Sequence, residues 1–575
     1  MTCRVVYSQR LSTNFCNRYE KEVMPIETPI YLDLGSALAA FGLIFAVYQL
    51  RKPQWELILR IRESWQSNLF WIFGGIGLFL VLIRVLLPQE WIRCFPFPLD
   101  TLLSYEIAAY LSFIASPVSL LYFSTKSKGL FNKKSARKFY EALVWEISKT
   151  TDDNVNAALG VLLPNFEDIC RAIRDNGEKD EVHQSASAIL DVILSDASVV
   201  KILTTKRLNA LQYIFTTIEK YSITERDAGI GVPILVRNLF YDKDSFFHKH
   251  LDREGLALPL NIYETIFDSP TLLTNFNMFG WRTLEYSRRR DMSVGVFTEA
   301  LSRSIKTYLT TGNVPPRHIN EGLKYLSEIS WDVSLKINTE EKRGTDSYAR
   351  RPEWDTLHDI ANFLGHDYVF VGYRDTLNQN VVDREKNTTE ADFYSNSTIN
   401  AGIAGAIYKA FEHLASVGED DFMYWHTLTQ LTHGIVYEGS YKEGYREPFL
   451  KRMWQQIGAN VINRHYPAAV RPYLAFIGFY LPNTDRKTEG WLGEEIERVR
   501  RLLYVDMKPL LEANTKMVND ENMKDALLPS FMNYRDGKFT YKYGFGKGEE
   551  KEIPPPPEGS TSALEGVDLE HRSLL

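Results

Sequence analysis

Ile30 to Leu50 (IYLDLGSALAAFGLIFAVYQL), Leu69 to Leu87 (LFWIFGGIGLFLVLIRVLL) and Leu102 to Phe123 (LLSYEIAAYLSFIASPVSLLYF) are three apolar runs near the amino terminus, and their reading decides the fold. Each is close to the roughly 20 residues that a helix rising about 1.5 Å per residue needs to cross a hydrocarbon layer of about 30 Å. The expectation is a mainly α protein with an N-terminal three-helix transmembrane bundle (residues 30–125) and a large all-α cytosolic region, built as a solenoid-like or irregular helical array.

Orientation follows from the basic residues beside the runs, because Lys and Arg are retained on the cytoplasmic side. Arg51, Lys52, Arg60 and Arg62 follow the first run, and Lys126, Lys128, Lys133, Lys134, Arg137 and Lys138 follow the third. They outnumber Arg93 of the second turn together with Arg10, Arg18 and Lys21 of the tail. This places the tail 1–29 outside and the bulk inside. No cleavable signal peptide is expected, since the first run begins near residue 30 at full spanning length. Arg4, Arg10 and Arg18, with several Ser and Thr and no acid, give the first residues some presequence character. A bacterial inner membrane is the simpler location.

Asp33, Arg84 and Glu106 are ionisable residues within the runs, each roughly 4 to 8 Å below the same outer boundary at helical rise. They either pair as an intramembrane charge cluster or snorkel to the nearby headgroups. Gly35, Ala39, Gly42 and Ala46 form one small-residue stripe, and Gly74, Gly75 and Gly77 mark the second run. Small residues permit the close approach on which helix association in lipid depends, so contact with helices of this chain or of a second copy is expected. Pro117 is expected to kink the third helix. Between the first two runs, Trp55, Leu57, Ile58, Ile61 and Trp65 share an arc opposite Glu56, Arg60 and Glu63. That suits either a helix lying in the membrane interface or an extension of the first span. The segment KSKGLFNKKSARK (126–138) is a basic collar, read as a topology signal with attraction for an anionic leaflet.

The chain has 575 residues and net charge −7, so no global basic field argues for nucleic acid, which is an unlikely partner. Removing the membrane part leaves about 420 residues, enough for two or three cores. The four cysteines are Cys3, Cys16, Cys94 and Cys170. A disulfide among the first three is permitted on an oxidising face, and Cys170 reads as buried and inert.

Apolar residues recur at helical spacing from Ser135 onward: Asn154–Ile173 with Pro164 inside, Ala186–Leu194, Val199–Ile218, Pro233–Leu251, Val294–Leu309 and Ile319–Leu335. No tetratricopeptide or ankyrin period is present. A polar stretch, 338–353, is read as the linker between helical domain A (126–337) and helical domain B (354–545). Arg374–Asn400 reads as an exposed loop. Helices are expected again at Ala404–Ala415, Phe422–Leu431, Pro448–Arg464, Val470–Leu481 and Leu492–Leu511. Asn533–Phe545, with Asp536-Gly537 between aromatic flanks, suits a hairpin. The Pro-rich tail 546–575 is expected to be disordered.

Catalytic signatures are few. His358-Asp359 and His366-Asp367 resemble the His-Asp dipeptide of metal phosphohydrolases, but the remaining ligands of such a site cannot be picked out. His426 and His433 share a helix face without a third ligand, and Arg288-Arg289-Arg290 reads as a solvated link. No phosphate loop or nucleophile elbow occurs. No cofactor, metal or catalytic residue is therefore expected. The leading expectation is a non-enzymatic membrane sensor or effector that is a homo-oligomer in the lipid bilayer, binds a cytosolic protein partner and alters membrane permeability when triggered. Bacterial phage-defence proteins are similar in this plan, an architectural analogy only. The alternatives are a static scaffold and a metal-dependent hydrolase using His358 and His366.

Overall fold

The computed structural model describes residues 53–62, 64–86, 102–251, 262–341, 352–365, 377–387, 397–414, 422–436, 491–513, 532–542 and 550–565, with isolated positions between them. These residues are mainly helical, as expected. Among them no helix is long and apolar enough to cross a membrane, so the expected transmembrane bundle is not supported by span length. The side chains of the second and third runs are described without interruption only over 68–83 and 107–123, each shorter than a span. Most of the first run, with Asp33 and Gly35, lies outside the described residues.

The described residues fall into two compact units, residues 1–202 with 226–231, and residues 203–225 with 232–575. The first holds α1 (Pro53–Ile61), α2 (Ser64–Leu86), α3 (Leu102–Thr125), α4 (Ala136–Ile147), α5 (Asp152–Leu162), α6 (Phe166–Asp175) and α7 (Glu181–Ser195). The run around Pro164 is two helices joined by a single 3₁₀ turn, Leu163–Asn165, because proline suits the start of a helix and not its interior. Helix α1 is not the free interfacial helix its pattern allowed: Leu57, Ile58, Leu59 and Ile61 are buried, and the helix packs against α3, α4 and α5. Its apolar arc faces protein.

The division between the units falls within α8 (Ala197–Lys206). The second unit continues with α9 (Leu208–Lys220), α10 (Gly231–Tyr241, from Val232), α11 (Phe246–Leu251), α12 (Ile262–Phe267), α13 (Pro270–Asn275), α14 (Val294–Thr311) and α15 (Pro316–Glu341). After these come α16 (Pro352–Gly365), α17 (Gln379–Lys386), α18 (Ile399–Leu414), α19 (Phe422–Val436), α20 (Trp491–Arg501) and α21 (Lys508–Ala513). An aromatic core of Phe240, Phe247, Tyr263, Phe267, Phe279 and Phe297 joins α10, α11, α12 and α14, with Phe247 and Tyr263 stacked at 4.2 Å. Although 342–351 lie outside the described residues, the flanking helices α15 and α16 pack against each other within this unit.

Two expectations of irregular chain are corrected. The loop expected over Arg374–Asn400 contains α17, whose Val381, Val382 and Glu385 are buried. Glu385 accepts from the backbone N–H groups of Ile399 (3.1 Å) and Asn400 (2.8 Å), so a buried carboxylate satisfies the open amino end of α18. The expected disorder of the tail does not hold over Glu550–Glu565. Strand β1 (Met532–Arg535) pairs with β2 (Lys538–Lys542) through the expected Asp536-Gly537 turn, and β3 (Glu550–Glu552) pairs with β2. Positive φ at both turn residues suits the twist of a two-residue hairpin. Beyond β3, Ile553 and Ala563 are buried, which supplies the apolar anchors that the composition of this segment conceals.

Candidate membrane-contacting surface

Helices α2 and α3 lie side by side and antiparallel, with Phe70 opposite Ser116 and Gly77 opposite Phe113. The contact uses Phe70, Gly74, Gly77 and Val81 of α2 and Ala109, Phe113, Ser116 and Leu120 of α3, all buried and repeating at spacings of four, three and four. Such spacing keeps one stripe of a helix turned toward its partner. A Cβ at Gly77 would stand 2.9 Å from the Phe113 ring, so glycine here sets how closely the helices approach. The Ser116 hydroxyl donates to the Phe70 carbonyl at 2.7 Å, spending its polar group inside the pair.

The opposite faces have no such cover among the described residues. Trp71, Ile72, Ile76, Phe79 and Leu82 of α2 and Ile107, Leu111, Ile114, Val118, Leu121 and Tyr122 of α3 are exposed, Phe79 to 62% and Leu111 to 61%. Water disfavours a contiguous apolar area of this kind, and monomeric soluble proteins rarely present one.

At one end of the pair the chain turns basic. Lys126, Lys128, Lys133, Lys134, Arg137 and Lys138 are all exposed. Their backbone is held by Asn165, which is fully buried: its carbonyl accepts from the N–H groups of Leu130 (2.8 Å) and Phe131 (3.2 Å), and its amide donates to the carbonyls of Ser127 (2.7 Å) and Val161 (2.8 Å). Arg62 ties the same end to the turn before α2, donating to the carbonyls of Phe123 (3.0 Å) and Lys126 (2.7 Å). Burial holds its guanidinium below the ordinary arginine range. Two residues earlier, Arg60 lies 3.4 Å over the Trp145 ring, which also receives the Lys149 ammonium at 3.5 Å. The buried Glu146 accepts from that ammonium at 2.9 Å.

The structure distributes the candidates read from the sequence. Gly74 and Gly77 are buried between α2 and α3, and Gly75 is exposed with nothing within 4 Å of a Cβ. Ala39, Gly42 and Ala46 are helical and exposed. Arg84 and Glu106 belong to α2 and α3, but their side chains, like all of Asp33, lie outside the described residues. Pro117 sits inside α3.

The other candidates are taken up by packing and ion pairs. His358 of α16 stacks on His426 of α19 at 4.3 Å, and burial pushes the neighbouring Asp359 carboxyl up. His366 and the His433 side chain lie outside the described residues, among which no group of three or more His, Cys, Asp or Glu side chains is placed to hold a metal. Arg289 pairs with Asp332 and Glu328, and Arg288 with Glu285 and Asp291, so these two arginines of the basic run bind their own chain. Cys170 is buried, with its thiol pushed up by desolvation and by Glu167. Sequence reasoning read Arg62 only as a topology cation and missed Asn165; the partners that give them their roles, Phe123 and Lys126 for the one and Ser127, Leu130 and Phe131 for the other, lie more than thirty residues away, and only the Pro164 beside Asn165 marked a turn.

No family model, curated protein or solved structure matches this chain.

Proposed function

We propose that the protein is a membrane-attached effector. The α2–α3 pair sits in lipid together with the Ile30–Leu50 run, and the helical remainder binds a protein partner on the cytoplasmic side. One observation carries this reading: the α2–α3 pair turns large apolar side chains outward as well as into its seam, where Gly74, Gly77, Ala109 and Ser116 pack with Phe70, Val81, Phe113 and Leu120, and it does so beside an exposed basic collar. Helices that fold in water keep the face turned away from their partner polar, whereas helices in lipid associate closely through small residues and present bulky apolar ones to acyl chains. The reading rests on these exposed apolar outer faces and not on span length. Self-association through the exposed small residues Ala39, Gly42 and Ala46, leading to altered permeability, is the mode of action proposed.

Fractionation tests the placement. After alkaline carbonate and urea washes, the full chain is expected in the membrane pellet and to be released only by detergent. Its appearance in the supernatant without detergent overturns the reading. Expression then separates effector from scaffold: loss of membrane potential that Gly42→Leu abolishes supports the effector, and harmless expression favours a static scaffold.

A further inference from the structure

Most charges of the collar are not balanced among the described residues. Of its cations, Arg137 pairs with Glu141 at 3.0 Å, whereas Lys128, Lys133, Lys134 and Lys138 have no carboxylate partner among the described residues. Lys126 lies 5.7 Å from the Tyr122 ring, and Arg60 is over Trp145; neither has a carboxylate partner among the described residues. Like charges so close together repel, and a chain of net charge −7 contains ample carboxylates to neutralise them. The collar segment is nonetheless held in place by three hydrogen bonds of Asn165, to Ser127, Leu130 and Phe131, so the lysines cannot disperse freely.

Resting on the membrane reading above, we propose that this collar, with Arg60 and Trp145, is a docking surface for anionic phospholipid headgroups and selects them over zwitterionic ones. Position argues for lipid over other polyanions. The exposed apolar residues Val118, Leu121 and Tyr122 immediately precede Lys126 on α3, so a headgroup at the lysines has its acyl chains beside an apolar wall. Trp145, 37% exposed between two cations, has the amphipathic character of aromatic side chains found at headgroup level. Nucleic acid would gain from the lysines but nothing from that wall.

The test uses the full chain in a neutral detergent, titrated with dihexanoyl phosphatidylglycerol. Dihexanoyl phosphatidylcholine, inorganic phosphate and a homopolymeric RNA are titrated in parallel. A cation near an anionic lipid surface contributes about fivefold in affinity. Phosphatidylglycerol is therefore expected to bind at least about tenfold more tightly than phosphatidylcholine, more weakly as salt is raised. K133Q combined with K134Q is expected to lose about tenfold or more, with the thermal midpoint unchanged because both side chains are exposed. R137Q, whose charge is already paired, is expected to lose about twofold or less. Equal affinity for the two lipids, or displacement of the lipid by phosphate or RNA at comparable concentration, overturns the proposal. Carbonate-resistant membrane association without lipid selectivity would overturn this inference and leave the membrane reading standing.

Discussion

The Arg62 guanidinium donates to the carbonyl of Phe123 at 3.0 Å and, through its other arm, to that of Lys126 at 2.7 Å. The last carbonyls of a helix have no partner within it and carry partial negative charge. Arg62, sixty-one positions before Phe123 and sixty-four before Lys126, supplies a donor to the one in the last turn of α3 and to the other just past its end, and it locks the exit of α3 to the turn between α1 and α2. Arg62→Gln is expected to cost about 2 to 3 kcal/mol. Arg62→Lys should recover only part of it, because one ammonium does not reproduce a planar fork. Thermal unfolding of the full chain in detergent measures both; midpoints equal to the parent's would mean that the contact contributes nothing.

Gly77 and Phe113 set the spacing of α2 and α3, because a Cβ added at the glycine would stand only 2.9 Å from the ring. Gly77→Val should force the helices apart at a cost of about 1 to 3 kcal/mol, and Phe113→Leu in the same chain should recover much of it. Gly75→Val, two residues away with open space where its Cβ would go, should leave the midpoint within about 0.5 kcal/mol of the parent. Equal effects at Gly75 and Gly77 would show that helix propensity, not the Phe113 contact, governs the pair.

The helices were legible because apolar residues recur at their period, and the glycines of the second run did announce a close contact. The seam itself was readable in principle, since Phe70, Gly74, Gly77 and Val81 share the four-three-four spacing of Gly35, Ala39, Gly42 and Ala46 in the first run. Glu385 was not legible: a carboxylate in a polar stretch has the composition of a loop, and only the amino end of α18 gives it a buried role. Asn165 was hidden for the same reason, as its four partners come from two other segments. The stacked pair His358 and His426 shows the converse. Each histidine stood out in sequence as a ligand candidate, and the fold sets them ring against ring.

His413 makes acid sensitivity measurable. Its Nδ1 lies 2.6 Å from the Ser330 hydroxyl, which is also within hydrogen-bond distance of the Ser327 carbonyl. Burial, and then the nearby Lys409 charge, lower its pKa from 6.5 to about 3. A histidine depressed in the folded state binds its proton first in the unfolded chain. Its contribution to stability is thus complete above pH about 6.5 and is lost as pH falls toward about 3, by at most about 1.4 kcal/mol per pH unit. His413→Asn should be less stable than the parent at pH 7, and the gap should narrow as pH approaches 4. A gap that stays constant in denaturant titrations across this range would remove His413 as the sensitive group.

Ile553 gives the clearest test of the carboxyl-terminal segment. It is buried to 1% exposure, its N–H donates to the Phe539 carbonyl at 2.8 Å, and its carbonyl accepts from the Tyr504 hydroxyl at 2.6 Å. A two-stranded hairpin is marginal in water, so β1 and β2 depend on β3 and on this anchor for their order. Further along, the Asp506 carboxylate accepts from the Ser562 hydroxyl (2.6 Å) and the Ala563 N–H (2.9 Å), fixing the far side of the four-proline run. Ile553→Ala is expected to cost about 2 to 4 kcal/mol locally, read as faster proteolysis between β2 and β3. Tyr504→Phe should cost about 1 kcal/mol in the same assay. If truncation before Glu550 leaves the amide exchange of Phe539 and Tyr541 unchanged, the third strand does not stabilise the hairpin, and the docking of this segment has no energetic weight.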